Sequence, residues 1–320
     1  MRVELHCHLD GSLSVDFVDN MLRKQGIFLE RKELEKKLRV KPDCTSLTEY
    51  LEKFALPLLC LQTKEGLEQA AYELVMDAAK DELAYIEVRF APMLSTDKGL
   101  TCEEVFDSVV RGLKKGERES GTYAYAIVCA MRHHSLEQNM EMLLAAKPFV
   151  GKGVCALDLA GDESAFPTSL FRELFIQAKE WDIPFTIHSG ECGSVDNIRE
   201  AIALGAGRLG HGIALEKSPE LRQLCKEKGI GIEMCPTSNL QTKAVDRLDS
   251  YPLKQFLDEG LLVSVHTDNR TVSGTTMEQE EKLVKERLQI SDEMWLKCTK
   301  NAIQTAFASE EIKEELMRRI

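Results

Sequence analysis

The chain has 320 residues, of which 43% are hydrophobic and 29% charged, an ordinary composition for a globular protein with a large buried core. Its formal net charge of −12 argues against binding to nucleic acid or to an anionic membrane, because both repel an acidic protein. No apolar run is long enough to span a membrane, and no charged-then-apolar leader opens the sequence. We therefore expect a cytoplasmic protein that binds a small neutral or cationic molecule.

The sequence contains ten cysteines, and none of them stands in a Cys-x-x-Cys pair. Closely spaced pairs are the usual signature of cysteine zinc sites and of redox motifs. We expect buried, reduced thiols and neither a disulfide framework nor a cysteine zinc site.

Strand and helix patterns alternate along the chain. The first strand is predicted in residues 3–8, where apolar and polar residues alternate up to an Asp-Gly turn. Further segments of strand composition are 84–90, 123–131, 153–159, 183–187, 207–209, 229–234 and 261–265. Helical apolar spacing separates them. This order predicts an α/β fold of the TIM-type (β/α)8 barrel class, a single domain over residues 1–320, with extra helices after the first strand and in residues 292–319.

The segment 45–60 is predicted to be helical and carries a broad apolar face that includes Leu47, Tyr50, Leu51 and Phe54. Such a face packs into a core more often than it covers a ligand. Its position directly after the end of the first strand also suits a lid over a binding site. Both interpretations stay open at this point.

Polar side chains collect where the predicted strands end. His6 and His8 project from one face of the first strand, because they are two residues apart. His188, His211 and Asp268 follow the fifth, sixth and eighth strands. A (β/α)8 barrel brings these strand ends to one mouth, where its catalytic groups lie. Three imidazoles and a carboxylate are a suitable ligand set for one zinc ion with a position open for water, and the predicted ligands are His6, His8, His188 and Asp268.

Six short motifs occur in order along the chain. They are HCHLDGS at 6–12, LDLAGDE at 157–163, HSGE at 188–191, GHG at 210–212, CPTSN at 235–239 and TDN at 267–269. Together they resemble the successive motifs of the adenosine deaminase family of metal-dependent hydrolases. The resemblance extends from residue 3 to about residue 276.

The resemblance implies one Zn²⁺ per chain, held by His6, His8, His188 and Asp268, which places Asp268 among the catalytic residues. Glu191 would protonate N1 of a purine. His211 would orient the attacking water and help to remove its proton. The implied reaction is hydrolytic deamination of adenosine, and of 2′-deoxyadenosine, to inosine and ammonia in purine salvage. The implied partner is a small purine nucleoside, with no nucleic acid and no membrane.

The resemblance also implies how substrate is held. The backbone N–H of Gly161 would meet the purine N3, Asp10 would accept hydrogen bonds from ribose hydroxyls, and Ser238 would lie near the site. The expected apolar cover of the substrate consists of Leu47, Tyr50, Leu51 and Phe54. Asn269 stands where family members often carry a second aspartate, and its amide can donate to the purine N7 without being protonated.

Other functions compete with this interpretation. Branches of the same fold deaminate adenine or N6-substituted adenine nucleotides, and Asp10 favours a nucleoside over a nucleotide because a carboxylate repels a phosphate. A two-metal amidohydrolase would carry a lysine at the end of the fourth strand, where this sequence has Leu-Asp-Leu-Ala-Gly. A non-catalytic zinc barrel would be expected to lose its acid, whereas Glu191 and His211 are both present. His266 has no assigned role.

Overall fold

The computed structural model describes residues 1–41, 44 and 47–320, without the side chains of residues 47 and 48. Within this part of the chain there are eight strands: β1 Arg2–His8, β2 Leu83–Phe90, β3 Tyr123–Met131, β4 Val154–Ala160, β5 Thr186–Ser189, β6 Arg208–His211, β7 Gly231–Met234 and β8 Leu262–Val265. They pair in parallel as two four-stranded sheets, β1-β2-β3-β4 and β5-β6-β7-β8.

The two sheets join at both edges. Leu157 of β4 bridges Phe185 just before β5, and Cys7 of β1 bridges Asp268 just after β8. At the second edge the His8 N–H donates to the Asp268 carbonyl at 2.7 Å. The strands therefore close into a barrel, which confirms the predicted TIM-type α/β fold. Closure also places the end of β1 beside the end of β8.

Helices surround the barrel. They are α1 Val15–Lys24, α2 Arg31–Leu38, α3 Leu47–Leu51, α4 Ala55–Cys60, α5 Lys64–Lys80, α6 Cys102–Ser120, α7 Leu136–Ala146, α8 Arg172–Glu180, α9 Val195–Leu204, α10 Pro219–Lys228, α11 Pro236–Gln241, α12 Leu253–Glu259, α13 Arg270–Ser273, α14 Met277–Leu288, α15 Asp292–Thr305 and α16 Glu310–Arg318. The extra helices predicted after β1 and at the carboxyl end of the sequence are present as α1 to α4 and α15 to α16. Among the described residues, no helix combines the length and apolar character needed to cross a membrane.

The strands are buried on both faces, as is usual where helices cover a parallel sheet. Every residue of β4 is buried, and so is every residue of β5, β6 and β7. Most apolar residues of these strands belong to a large core that includes side chains from α5, α6 and α15. Within this apolar setting the strands carry fully buried charged residues, among them Glu87, Arg89, Asp158, Arg208 and Glu233.

Two local predictions differ most from the structure. The fifth strand was predicted at 183–187 but begins at Thr186, because Pro184 has no N–H to give to a sheet ladder. The segment 45–60 was predicted as one helical stretch. Its described part instead forms α3, a 3₁₀ turn at Glu52–Phe54 and α4. Pro57 cannot donate the hydrogen bond that would continue a single helix through this point.

Candidate active site

The four predicted metal ligands meet at the mouth of the barrel. The Nε2 atoms of His8 and His188 are 3.2 Å apart. Oδ1 of Asp268 lies 3.5 Å from Nε2 of His6 and 3.4 Å from Nε2 of His8. All four side chains thus direct one ligand atom toward a common point, as the strand-end pattern predicted.

The surroundings of these histidines fit a cation. Nε2 of His6 is fully buried and has no hydrogen-bond partner among the described residues. The opposite ring nitrogens are held by carboxylates: Nδ1 of His6 lies 2.8 Å from Glu233, and Nδ1 of His188 lies 2.9 Å from Asp158. Because each carboxylate accepts an Nδ1–H, the neutral rings carry their lone pairs on Nε2, where a metal binds. Burial also lowers the pKa of His8 and of His188, which favours the neutral, metal-binding form.

Asp268 occupies a strained position that its neighbours maintain. It has a φ of +60°, in the left-handed region that non-glycine residues rarely adopt. Ser238 Oγ donates to its Oδ2 at 2.6 Å. Strain of this kind persists where surrounding contacts fix the backbone, and it is concentrated at functional sites. Ser238, predicted only to lie near the site, therefore positions the carboxylate of Asp268.

His211 lies beside the four ligands. Its ligand atom and those of His6 and His188 all lie within 4.8 Å of one another. Like Asp268 it has a left-handed backbone, with a φ of +63°. Gly210 precedes it, and a Cβ there would lie 3.2 Å from Cε1 of His6, so the small residue gives the His6 ring its space.

The orientation of Asn239 sets the tautomer of His211. Oδ1 of Asn239 accepts from the Cys235 N–H at 3.4 Å and from the Tyr251 hydroxyl at 2.8 Å. Its Nδ2 therefore faces Nδ1 of His211, 2.9 Å away, and donates to it. The neutral ring of His211 then carries its hydrogen on Nε2. Burial keeps the pKa of this histidine well below its ordinary value.

Glu191 faces the same point from the loop after β5. Its Oε2 lies 3.5 Å from Nε2 of His211, and its Oε1 accepts from the Thr242 hydroxyl at 3.0 Å. Burial, followed by the charge of Asp268, raises the pKa of Glu191 to about 8. The carboxyl is therefore protonated at neutral pH and can act as an acid.

A cavity of about 410 Å³ opens onto this cluster, a volume suitable for a small ligand. Its wall contains Asp10, Gly161, Glu191, His211 and Asn269. The apolar part of the wall includes Tyr50, Leu51, Phe54, Leu58, Leu94 and Phe166. The structure thus brings the predicted cover to the site, except that the side chain of Leu47 lies outside the described residues.

The residues predicted to contact the substrate differ in their hydrogen bonds and in their backbone conformation. Asp10 accepts from the Gly11 N–H at 3.0 Å, and burial raises its pKa to about 6. Gly161 has a φ of +105°, a conformation that favours glycine. Oδ1 of Asn269 is buried with no partner in the described part of the chain, so this amide is not fully committed to internal hydrogen bonds.

His266 does not belong to the cavity. Its side chain is fully buried beside β1, where Nδ1 lies 3.0 Å from Glu4 and Nε2 lies 2.7 Å from Ser264 Oγ. Glu4 also accepts from the Thr267 hydroxyl and N–H. These contacts tie β1 to the segment after β8, so the contribution of His266 is to the closure of the barrel.

Several residues that shape the site were not identified from the sequence. They are Arg89, Asp158, Thr242, Glu233, Asn239 and Tyr251. A signal existed for some of them: charged residues, two in β2 and one each in β4 and β7, interrupt these otherwise apolar strands, and a charge in a buried strand requires a partner. Asn239 and Thr242 lie on and after the short helix α11, where no local pattern indicates their direction.

Comparisons with known proteins agree with this geometry. The family model described as "Adenosine deaminase" matches residues 2–320. An adenosine deaminase of Enterococcus faecalis is 44% identical over 321 residues, covering 100% of this chain and 95% of that protein. One from Clostridium perfringens is 41% identical, covering 98% of this chain and 96% of its own length. In both cases the similarity extends over nearly the whole of each chain.

Solved structures of other proteins have the same fold as this chain. The crystal structure of an adenine deaminase from Arthrobacter aurescens superposes with a TM-score of 0.92 at 25% identity, covering 99% of this chain and 97% of that one. Family model, sequence relatives and structural likeness all span the barrel and the residues at its mouth. The chain belongs to the adenosine deaminase family.

Proposed function

We propose that this protein catalyses the zinc-dependent hydrolytic deamination of adenosine, and of 2′-deoxyadenosine, to inosine and ammonia. The observation that carries the proposal is the placement of Glu191, whose raised pKa keeps it protonated beside three histidines and an aspartate in a partly apolar cavity. The names of the bacterial relatives support adenosine as the substrate.

The donor set fits one zinc ion held by His6, His8, His188 and Asp268. Imidazole nitrogens with one carboxylate suit zinc, and such catalytic sites keep one position open. When bound, zinc lowers the pKa of a coordinated water from about 15.7 toward about 7 and so supplies hydroxide at neutral pH. A site for two metals is not favoured, since no lysine stands at the end of β4.

Glu191 supplies the acid of the reaction. Its protonated carboxyl would give a proton to N1 of the purine, which makes C6 electrophilic. Attack of water oxygen at C6 then gives a tetrahedral carbon, and breaking of the C6–N6 bond releases ammonia. The proton from Glu191 stays on N1 of inosine, and of the two water hydrogens one would leave in ammonia and the other would restore the carboxyl of Glu191.

His211 would orient the attacking oxygen. In the tautomer that Asn239 selects, Nε2 carries a hydrogen and donates. Removal of a proton at Nε2 would need the opposite tautomer, in which Nδ1–H would face the Asn239 amide hydrogens. The geometry therefore favours the orienting half of the predicted role over the proton-removing half.

The cavity wall would select the substrate. Gly161 leaves room for the purine edge, Asn269 can donate to N7, and Asp10 can accept from a ribose hydroxyl. A nucleotide would bring a phosphate toward the carboxylate of Asp10, which disfavours it. Tyr50, Leu51 and Phe54 would cover the base and exclude water.

Adenine is the second candidate substrate, because a structural neighbour of this chain is named an adenine deaminase. The two candidate substrates are distinguished by the ultraviolet absorbance change when adenosine, adenine and adenosine monophosphate are added in turn to the zinc-loaded protein. The proposal expects the largest kcat/KM with adenosine. A larger value with adenine would replace the nucleoside by the free base, and no reaction with any of the three would refute the deaminase proposal.

A further inference from the structure

Arg89 connects the two carboxylates that hold the proposed metal ligands. It lies in β2 with a fully buried side chain. Its Nη1 donates to Oδ2 of Asp158 at 2.9 Å, and its Nη2 donates to Oε2 of Glu233 at 2.8 Å. Nδ1 of His6 lies 2.8 Å from the same Oε2 of Glu233. Nδ1 of His188 makes its hydrogen bond to the other carboxylate oxygen of Asp158, Oδ1, at 3.1 Å, and lies 2.9 Å from the Oδ2 that Arg89 holds.

A third contact fixes the guanidinium in the barrel. Nη2 of Arg89 also donates to the carbonyl oxygen of Leu5 at 2.8 Å, directly before His6 in β1. One planar group from β2 therefore holds β1, β4 and β7 in a fixed relation. Only the forked guanidinium offers separate donors at these three points, whereas the compact ammonium of a lysine acts as a point charge.

The physical consequence concerns the ligand histidines. A buried carboxylate stays ionised only when it is paired and hydrogen-bonded. An ionised carboxylate accepts the Nδ1–H of its histidine and keeps the Nε2 lone pair directed at the metal. Because one guanidinium donates hydrogen bonds to both carboxylates, the loss of Arg89 would disturb the partners of His6 and His188 together.

We propose that Arg89 is a positioning residue that couples the His6–Glu233 and His188–Asp158 pairs and thereby sets the affinity of the site for its metal. This inference rests on the metal site of the proposed function. Arg89 itself does not line the cavity, so it acts through the two carboxylates and not on the substrate.

Arg208 provides a matched control. It is as deeply buried as Arg89 and also bonds to Glu233, but through Oε1, which does not face His6. Its second carboxylate is Glu87, which holds neither ligand histidine. Arg89→Lys and Arg208→Lys thus make the same chemical change in the same barrel interior, and only the first removes the link between the two histidine partners.

The test measures the rate at which each zinc-loaded protein releases its metal to a chelator, with zinc content determined before the chelator is added. We expect Arg89→Lys to release zinc at least about tenfold faster than the unmodified protein, the scale on which supporting residues affect metal sites, and Arg208→Lys to stay within about threefold. Equal acceleration in both variants, or none in Arg89→Lys, would overturn the inference. An unmodified protein that binds no zinc would instead refute the proposed function.

A second measurement does not require the Arg89 variant to fold. In zinc-loaded protein with Asp158→Asn, the guanidinium loses one of its two anionic partners, so the coupling predicts a shift of the ¹⁵N resonances of the His6 ring on the other side of Arg89. Glu259→Gln, which removes a partner of the distant Arg222, should leave these resonances unchanged. An unshifted His6 signal in Asp158→Asn would contradict the coupling.

Discussion

At the scale of single residues, the reactivity of Glu191 follows from its surroundings. The sequence locates this residue after a strand end, but only the structure shows that burial and the charge of Asp268 raise its pKa to about 8. The bond from Thr242 and the nearby His211 fix its direction. A free glutamate would be ionised at neutral pH and could not donate a proton.

Glu191→Gln removes the acid and keeps the shape of the side chain. We expect it to retain zinc and to lose turnover by about 10² to 10⁴, the usual contribution of general acid catalysis. Metal analysis and the steady-state kcat measure both quantities. Glu216→Gln, an exposed glutamate in the described chain, is the matched control, and nearly full activity of Glu191→Gln would exclude this residue as the acid.

The direction in which kcat of the unmodified protein changes with pH can be predicted. The active form carries a protonated Glu191, so kcat falls as the pH rises through the pKa of this group. A bound cation favours the ionised carboxylate, which places the alkaline limb at or below about pH 8. A kcat that rises steadily from pH 7 to pH 9 would contradict this assignment.

Asp10 is the residue that we expect to distinguish a nucleoside from a free base. Asp10→Asn removes a strong acceptor for ribose hydroxyls, so we expect KM for adenosine to rise about tenfold, as for the loss of a hydrogen bond to a charged group. The KM for adenine should change little. Equal effects on the two substrates would remove Asp10 from the ribose contact.

That the polar residues at the strand ends lie close together could be predicted from the sequence, because a barrel of this type brings the ends of its strands to one mouth whatever its detailed packing. His6, His8, His188 and Asp268 were found in this way. Arg89, Asp158 and Glu233 were not, since their partners lie on other strands and only the closed barrel makes them neighbours.

At the scale of elements, the segment α3 to α4 covers the cavity and is anchored to α13. The Tyr50 hydroxyl lies 2.7 Å from Ser273 Oγ in a buried hydrogen bond. Tyr50 and Phe54 also pack beside Val272 in a small cluster separate from the main core. The cover is therefore attached to α13 by a buried hydrogen bond and by apolar packing.

Tyr50→Phe keeps the ring and removes this bond. We expect KM for adenosine to rise about fivefold with kcat little changed, because a net hydrogen bond contributes about 1 kcal/mol to the closed form. Ser273→Ala should have the same effect. The double variant should be no worse than either single one, and additive losses would show that the two hydroxyls act independently.

The element boundaries were predicted least well in this region. The apolar spacing of residues 45–60 indicates helix, and the described part is helical, but the 3₁₀ turn that separates α3 from α4 was not predicted. The strands were easier to predict, because segments of strand composition bounded by turns recur along the chain at a spacing typical of such a barrel.

At the scale of the whole molecule, the alternation of strands and helices was sufficient to predict the closed barrel. The contacts that close the barrel could not be predicted from the sequence. The bridge of Cys7 to Asp268 and the buried hydrogen bonds that Thr267 donates to Glu4 join residues more than 250 positions apart. Local patterns carry no information on such pairs.

The single domain predicted for residues 1–320 and the metal site at its mouth together give an expectation for unfolding. Because the proposed ligands come from β1, β5 and the segment directly after β8, bound zinc would stabilise the native barrel as a unit. A ligand present at about 1,000 times its Kd adds about 4 kcal/mol. We expect one calorimetric transition whose Tm falls by several degrees on chelation, and two resolved transitions would contradict the single domain.

One metal ion at the barrel mouth is proposed to make this chain active as an adenosine deaminase, and zinc titration of the metal-free protein tests this dependence. Inosine formation is followed by absorbance as zinc is added in steps. We expect no activity without metal and a linear rise that ends at one zinc per chain. Full activity in the metal-free protein, a rise that continues to two equivalents, or no inosine at any zinc concentration would contradict this proposal.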